Sequence, residues 1–372
     1  MSKLPFLPGI AGKTIYVGLS GGVDSAVSAA ILKSSGAKVV GVYMKNWAGE
    51  DGLQLDCPWK EEMIAAQAAA AHLEIEFLSY NFEREYKASV LDYFFAEYKA
   101  GRTPNPDILC NSEIKFKAFL DKATDSGADL IATGHYARIA EQSLPPVFPE
   151  TQRFLLKALD SNKDQTYFLS GLNLQQLNKA VFPLANLTKP EVRLLATQLG
   201  LPNATKPDSQ GICFIGDLDV NKFLHKYIHS QPGKILDIDT GGNVGQHDGL
   251  AFYTIGQREG LKIGGAKLPY YVSYKDLANN TLYVAQGQDH PSLYQSIVTF
   301  ESLHLINSTS MPAEAQLNEL TLTAAIRYRQ QPQSGRFVEG KFEFTQAQRA
   351  VSPGQSIVFY AGGTVLGRAI IA

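Results

Sequence analysis

The chain has 372 residues, of which 45% are hydrophobic, and this is enough for two or three domains with separate cores. The formal net charge of −2 excludes a global attraction to nucleic acid, so a polyanionic partner would need local basic patches. The three cysteines, without a C-x-x-C pair, fit neither a disulfide-stapled secreted protein nor a structural zinc site.

The first 140 residues alternate apolar β-like runs with helical stretches, which is the rhythm of a doubly wound parallel sheet of the α/β class. In chain order the runs are Thr14–Leu19, Ala26–Lys33, Lys38–Met44, Glu61–His72, Glu74–Tyr80 and Leu130–Thr133. Ligands of such sheets bind beyond the carboxyl ends of the strands, where Met44, Gly134 and a glycine-rich segment fall. No run approaches the ~18 apolar residues of a membrane span, and residues 1–13 contain no apolar run of signal-peptide length, so we expect a soluble, cytoplasmic protein.

The glycine-rich segment is Gly18-Leu19-Ser20-Gly21-Gly22-Val23-Asp24-Ser25, between the first β-like run and the first helix. Backbone N–H groups at the positive end of a helix can hold phosphate oxygens. No lysine falls inside the segment, which argues against the loop of a γ-phosphate motor or kinase. A plain glycine-rich turn is the alternative, but it would not require the polar groups of Ser20, Asp24 and Ser25. The pattern S-G-G-x-D-S resembles the pyrophosphate loop of adenylating ATP pyrophosphatases.

The rest of the chain predicts one more helix and two further domains. Residues 141–152 carry three prolines and predict a surface loop, and Thr188–Glu191 is a capping box for a helix that ends near Leu199. We assign residues 1–215 to the α/β domain. Glycine or asparagine pairs at 241–242, 264–265 and 279–280 favour hairpin turns in a small, mostly β domain over 216–290. Alternating runs predict an antiparallel barrel or sandwich over 291–372.

Cys110 follows an entry that its two nearby prolines make extended, and Asn111 or Ser112 looks like a helix start. Cys110 is therefore expected at a helix N-terminus, where the helix dipole, with help from Lys115 and Lys117, favours the thiolate. A small buried structural cysteine is the alternative. Asp107 is a candidate general base, or else an ordinary turn or capping aspartate.

A second cysteine, Cys213, lies in a glycine-bracketed stretch at the predicted domain border. Taken alone, it reads as a structural residue. Two cysteines on a nucleotide-activating enzyme nevertheless suggest sulfur transfer, in which one carries a persulfide and the other resolves it by closing a disulfide. Cys57 has no role that we can assign.

An ordered set of motifs extends over nearly the whole chain: the loop at 18–25, Gly-Arg-Thr-Pro-Asn-Pro-Asp-Ile-Leu-Cys-Asn at 101–111, Thr-Gly-His-Tyr-Ala-Arg at 133–138, Lys-Asp-Gln-Thr-Tyr-Phe-Leu at 163–169, Asp-Ser-Gln-Gly-Ile-Cys-Phe-Ile-Gly at 208–216, Tyr-Thr-Ile-Gly-Gln-Arg at 253–258, Arg-Tyr-Arg at 327–329 and Ser-Pro-Gly-Gln-Ser at 352–356. With these motifs the chain resembles the tRNA-specific 2-thiouridylases, sulfurtransferases that thiolate the wobble uridine of tRNA. It departs slightly from the family pattern at Gln210 and Thr166.

The resemblance implies roles for individual residues. Cys110 would be the nucleophile, Cys213 the persulfide carrier and Asp107 the acid/base residue. ATP would be held by Gly18, Leu19, Ser20, Gly21, Gly22, Val23, Asp24, Ser25, Met44 and Gly134. The tRNA would be contacted by Asn105, Pro106, Asp107, His135, Lys163, Asp164, Gln165, Arg327, Tyr328 and Gln355.

The resemblance also implies substrates and partners. These are ATP with Mg²⁺, persulfide sulfur as co-substrate, the anticodon loop of tRNA, and a sulfur carrier protein or cysteine desulfurase as donor. Recognition of an unstacked loop base fits how proteins read RNA sequence. Two other functions stay open: an adenylating ATP pyrophosphatase of a small metabolite, and a non-catalytic, ATP-responsive RNA-binding protein.

Overall fold

A computed structural model describes residues 4–47, 59–208, 220–307, 312 and 314–372. The predictions for Cys213 fall outside these residues, as does Cys57. The strands are β1 Thr14–Gly18, β2 Lys38–Lys45, β3 Glu76–Asn81, β4 Leu130–Ala132, β5 Arg138–Leu144, β6 Phe148–Leu156, β7 Ala180–Val181, β8 Gly233–Asp237, β9 Asn243–His247, β10 Tyr270–Asp276, β11 Thr281–Gln286, β12 Tyr294–Leu305, β13 Leu322–Ala325, β14 Gln333–Val338, β15 Lys341–Arg349, β16 Ser356–Ala361 and β17 Thr364–Ile371.

The helices are α1 Val23–Ser34, α2 Trp59–His72, α3 Glu83–Tyr86, α4 Asp92–Lys99, α5 Pro106–Leu109, α6 Phe119–Asp125, α7 Thr166–Leu169, α8 Leu174–Lys179, α9 Lys189–Gln198, α10 Val220–Tyr227 and α11 Glu314–Asn318. π-Helical segments, Lys87–Leu91 and Cys110–Ala118, join α3 to α4 and α5 to α6. None of the helices in the described part of the chain combines the length and the apolar character that crossing a membrane requires.

The N-terminal domain is built on a parallel sheet in the order β3-β2-β1-β4-β7. One face packs against α1, α2 and α9, and the other against the helices between residues 83 and 125. β1 and β2 are almost wholly buried because both faces of the sheet are covered. The expected doubly wound α/β fold is confirmed, and the carboxyl ends of its strands meet at one edge.

Residues 141–152, predicted as a surface loop, instead form most of a β-hairpin of β5 and β6. The prediction was wrong because the prolines lie at the turn and along an edge, where a strand tolerates them. Phe148 and Phe154 are buried in the core of the C-terminal barrel. β6 pairs with β17, so a hairpin inserted in the sequence of the α/β domain extends the barrel sheet.

The C-terminal region is a closed barrel of six strands in the order β12-β15-β14-β13-β16-β17, and β12 pairs with β17 to close it. Its core is aromatic: the ring centroids of Phe337 and Phe359 lie 4.9 Å apart, and those of Phe342 and Phe359 lie 5.3 Å apart. Of the barrel and the sandwich left open by the sequence, the barrel is therefore correct.

Between them lies a four-stranded sheet in the order β10-β11-β8-β9, preceded by α10. Asn280, with φ of 46°, forms the turn between β10 and β11, and Gly241, with φ of 68°, lies in the turn between β8 and β9, as predicted. The pair Gly264-Gly265 lies in a longer loop before β10, so the hairpin predicted there is wrong. The mostly β character of this part of the chain is confirmed.

Candidate functional site

The glycine-rich loop connects β1 to α1 at the carboxyl edge of the parallel sheet. Gly21 has φ of +74°, and a Cβ there would collide with the carbonyl oxygen of Glu62. Only glycine combines this backbone conformation with so close an approach. Gly22 caps α1 without any side-chain hydrogen bond, which leaves the positive end of the helix for an anionic ligand.

Two further residues predicted to hold ATP, Met44 and Gly134, contact this loop. A Cβ on Gly18 would lie 2.8 Å from Cε of Met44, and a Cβ on Gly134 would lie 2.8 Å from the backbone nitrogen of Ser25. Met44 is therefore in contact with the start of the loop, and Gly134 with the first turn of α1. The structure brings these residues together, although they come from β2 and from the segment after β4.

Hydrogen bonds fix the loop's shape. The Ser25 hydroxyl accepts from the backbone N–H of Ser20 at 3.2 Å and donates to the carbonyl oxygen of Gly22 at 3.1 Å. Asn203 donates through Nδ2 to the carbonyl oxygens of Gly21 and Gly22, each at 3.0 Å. These bonds connect both ends of the loop to each other and to the segment after α9.

A group of charged side chains adjoins the loop. Lys189, at the start of α9, donates to Oδ1 of Asp24 at 2.6 Å and to Oδ1 of Asp208 at 2.7 Å. Lys163 and Arg193 also pair with Asp208, at 2.5 Å and 2.8 Å. Three cations thus face two carboxylates beside a predicted phosphate site, and a third carboxylate, Asp160, accepts from the backbone N–H of Lys189 at 2.8 Å.

The electrostatics of this group keep Asp208 ionised. Burial raises the pKa of Asp208, but hydrogen bonds from Lys163 and Lys189 outweigh that effect and lower it to about 2. Tyr136 donates to Oδ1 of Asp24 at 3.0 Å, and burial together with the Asp24 charge raises the pKa of its phenol. The tyrosine is therefore a neutral donor at physiological pH.

Residues 163–165, predicted to touch tRNA, have internal partners. The Lys163 ammonium reaches Asp208. Asp164 accepts from the backbone N–H of Ala158 and from the hydroxyl of Thr166, and burial raises its pKa. Gln165 accepts from the backbone N–H of Tyr136 at 3.0 Å. These contacts hold the segment before α7 against the site, and an RNA contact there stays a prediction.

The helix that carries Cys110 begins earlier than predicted. It begins at Pro106, with Asn105 as the N-cap whose Oδ1 accepts from the backbone N–H of Asp107 at 3.2 Å. The prolines were read as an extended entry, but proline is well suited to the first helical position. The predicted starts at Asn111 and Ser112 are therefore wrong.

Cys110 consequently lies a full turn inside the helix rather than at its N-terminus. The dipole effect is concentrated in the first turn, so this source of thiolate stabilisation is weaker than expected. Cys110 is a fully buried thiol, and Lys117 pairs with Glu113 at 2.8 Å. The spacing of Asp107 and Cys110, i and i+3, places both on one face of the helix.

His135 links this helix to the sheet edge. Its Nδ1 lies 2.7 Å from the Thr133 hydroxyl, and its ring centroid lies 6.1 Å from that of Phe116, which is on the Cys110 helix. Burial, with the nearby charge of Lys115, lowers the pKa of His135 well below its usual value. His135 is therefore neutral at physiological pH.

Other residues predicted to contact tRNA meet where the barrel packs on the α/β domain. Gln355 donates to the carbonyl oxygen of Thr103 at 2.8 Å, just before Asn105. The rings of Tyr328 and Phe168 lie 4.4 Å apart, while Arg327 is exposed and donates to the carbonyl oxygen of Arg349 at 2.9 Å. The barrel therefore brings Gln355 to the segment before Asn105 and Tyr328 to Phe168, while Arg327 contacts another barrel residue, Arg349.

Nothing in the sequence indicated that several residues surround the loop. These residues are Lys189, Arg193, Asn203, Tyr136 and Asp208, the last of which pairs with two lysines. The Lys189 position was seen only as part of a capping box. The one indication of a distant cation was the loop itself, because a phosphate loop without a lysine leaves the phosphate charge to be balanced from elsewhere in the chain.

Similarity to known proteins extends over nearly the whole chain. Residues 13–217 match the tRNA methyl transferase HUP domain, residues 221–286 the tRNA methyl transferase PRC-barrel domain, and residues 298–371 the Aminomethyltransferase beta-barrel domain. The chain is 47% identical over 369 residues to the tRNA-specific 2-thiouridylase MnmA of Acinetobacter baumannii, with 96% of each chain covered.

Two further relatives carry the same name. The protein from Alcanivorax borkumensis is 47% identical over 369 residues, with 96% of each chain covered. The protein from Streptococcus thermophilus is 47% identical over 366 residues, which cover 96% of this chain and 94% of that one. Identity at this level over nearly the full length, together with the three matched domains, shows that the chain belongs to the tRNA-specific 2-thiouridylase family of sulfurtransferases.

Proposed function

We propose that the protein replaces the C2 oxygen of the wobble uridine in tRNA with sulfur, at the expense of ATP. One observation supports the proposal most directly. The neighbouring residues His135 and Tyr136 connect the glycine-rich loop to the helix that carries Asp107 and Cys110. Tyr136 donates to Asp24 of the glycine-rich loop, while His135 packs against Phe116 on the helix of Asp107 and Cys110. Between the loop and this helix, an oxygen activated by ATP and a sulfur nucleophile could react.

In the first step the uridine O2 attacks the α-phosphorus of ATP, and pyrophosphate leaves. The loop N–H groups and Lys189 stabilise the negative charge that builds up on the leaving group. Mg²⁺ with ATP fits this site, because Mg²⁺ needs one or two carboxylates besides phosphate oxygens and Asp24 offers one. The ion would neutralise phosphate charge.

The second step places sulfur on C2. Cys213 carries a persulfide that a carrier protein or cysteine desulfurase supplies. Either its terminal sulfur attacks C2 and AMP leaves with the former oxygen, or Cys110 first attacks the Cys213 Sγ and expels hydrosulfide, which attacks C2. In both routes the S–S bond of the persulfide breaks and Cys110 closes a disulfide with Cys213, which a thiol reductant must reduce by two electrons.

The tRNA would lie across the junction between barrel and α/β domain. Arg327, Arg329 and Arg349 would supply cations for phosphates, and Asn105, Pro106 and Asp107 would contact a base turned out of its stack. Neutral His135 can accept or donate a hydrogen bond without adding charge near the activated base.

The test is incubation of the protein with unmodified tRNA, ATP and a persulfide donor, followed by nucleoside mass spectrometry. We expect a uridine heavier by about 16 Da, the mass difference of sulfur for oxygen, together with AMP and pyrophosphate. Pyrophosphate release without regard to tRNA would favour an adenylating enzyme of a small metabolite. Binding of tRNA without AMP formation would favour a non-catalytic RNA-binding protein.

A further inference from the structure

Asn46 is a buried asparagine whose amide has no hydrogen-bond partner among the described residues. Its relative exposure is 1%, and neither Nδ2 nor Oδ1 has a hydrogen-bond partner within the described chain. Three other buried asparagines, Asn111, Asn203 and Asn307, each leave only Oδ1 without a partner and use Nδ2 as a donor. Folded proteins pair the great majority of their buried polar groups, so an amide with both groups unpaired is a candidate ligand-binding group.

The position of Asn46 points to the same site as the glycine-rich loop. It is the first residue after β2 and lies two residues beyond Met44, whose Cε would be 2.8 Å from a Cβ on Gly18. β2 pairs directly with β1, and the backbone N–H of Leu19 donates to the carbonyl oxygen of Val42 at 2.8 Å. Asn46 therefore lies at the carboxyl edge of the sheet, one strand from the loop.

The hydrogen-bonding groups of a carboxamide limit the classes of ligand that can satisfy it. In either orientation the amide offers one N–H donor beside one acceptor. A phosphate or carboxylate has only acceptors and would pair with Nδ2 alone, and a metal ion would pair with Oδ1 alone, so only a ligand with a donor beside an acceptor satisfies both groups of the amide. The edge of a nucleobase has a donor beside an acceptor, as in N3–H and O4 of uracil or N6–H and N1 of adenine, and asparagine pairs with such edges through two bonds.

We propose that Asn46 binds the edge of a nucleobase at this site through both amide groups and thereby positions the base for adenylation. This rests on the proposed function, which supplies two such bases, the uracil of the tRNA and the adenine of ATP. Asn46 contacts a substrate base and does not take part in the bond changes. The base would complete the hydrogen bonds that the amide lacks among the described residues.

The test uses Asn46→Leu in the full-length chain, with three measurements: melting temperature, ATP affinity by calorimetry, and the single-turnover rate of tRNA thiolation at saturating ATP. Removing a buried amide that has no partner costs the fold nothing, so we expect a melting temperature equal to or above that of the wild type. We expect either ATP affinity or the thiolation rate to fall at least about tenfold, because two hydrogen bonds are lost.

The pattern of losses identifies the base. Weaker ATP binding assigns the adenine, and a slower rate with intact ATP binding assigns the uracil. Asn307→Leu is the matched control: Asn307 is also buried with an unpaired Oδ1, but its Nδ2 donates to the carbonyl oxygen of Arg153 at 2.7 Å. That variant should melt earlier and keep its ATP affinity.

Two results would overturn the inference: ATP affinity and rate both within threefold of the wild type, or a fall in melting temperature as large as that of Asn307→Leu. A wild type that binds ATP but does not thiolate tRNA would refute the proposed function instead. The ATP measurement would then still test Asn46.

Discussion

The ammonium of Lys189 lies 2.6 Å from Oδ1 of Asp24, although 165 residues separate the two in sequence. The glycine-rich loop contains no lysine of its own, and the start of α9 supplies one. Asp208 holds the same ammonium at 2.7 Å, so two carboxylates keep the cation in place when no phosphate is bound.

Lys189→Met should weaken binding of ATP and of pyrophosphate by about tenfold to a hundredfold, the value of one charge-assisted hydrogen bond. AMP should bind nearly as well as to the wild type, because it lacks the leaving phosphates. Isothermal titration calorimetry with the three ligands measures this. Lys38→Met, an exposed lysine at the amino end of β2, is the control and should change none of the three. Equal losses for AMP and ATP would contradict a role at the pyrophosphate.

Cys110→Ser and Cys213→Ser should each abolish thiolation while AMP formation in the presence of tRNA stays measurable, since neither thiol is needed to adenylate the base. Mass spectrometry of the nucleosides and chromatography of AMP provide the two readouts. Normal thiolation by either variant would refute the cysteine pair.

The buried His135 predicts a loss of stability in acid. The pKa of His135 is far below 6.5 in the folded protein. Below pH 6.5 the unfolded chain therefore binds a proton that the folded protein does not, and the free energy of unfolding decreases as the pH decreases. Above pH 6.5 both states are neutral and the effect vanishes. Melting temperatures of the wild type and His135→Gln between pH 7.5 and 5.5 measure the difference. The variant should lose less, and parallel slopes would show that His135 is not the cause.

The buried Lys275 should make the protein more stable as the pH rises above about 8. Burial lowers its pKa to about 8, and its ammonium donates to the carbonyl oxygen of Gly101 at 2.8 Å, which joins the central sheet to the segment before Asn105. Between about pH 8 and 10.5 the unfolded chain holds a proton that the folded protein has lost, so stability rises with pH over this window.

Thermal melts at pH 7.5 and 9.5 check the sign. Lys275→Met should lack the rise that the wild type shows, whereas Lys234→Met, on a solvent-facing position of β8, should keep it. The quantity to compare is the change in melting temperature from pH 7.5 to pH 9.5. If this change is less favourable in the wild type than in Lys275→Met, the assignment is contradicted.

The elements around the loop were predictable because their signals are local. The runs predicted at 14–19 and 38–44 correspond to β1 and β2 within one residue at either end. The capping box at Thr188 is also confirmed, as Glu191 accepts from the Thr188 backbone N–H at 2.7 Å. Periodicity and capping depend on neighbours a few residues away, and these are visible in any sequence.

What the sequence could not reveal depends on distant contacts. Nothing near residues 141–152 indicates that Phe154 will be buried in a barrel formed from residues 294–371, so a proline-rich strand was read as a loop. The Asn105 cap was missed because two prolines before a helix suit both an extended entry and a helical first turn. The contact of Lys189 with Asp24 has no local signal at all.

The β5–β6 hairpin has a consequence for anyone who would divide this protein. A fragment cut at residue 290 would keep the hairpin but lose β17, the strand that pairs with β6, and would leave Phe148 and Phe154 in water. The lobe that carries the nucleotide loop is therefore not a self-sufficient unit of the chain. Expression of that lobe alone should give aggregates, unless residues 138–156 are replaced by a short polar linker.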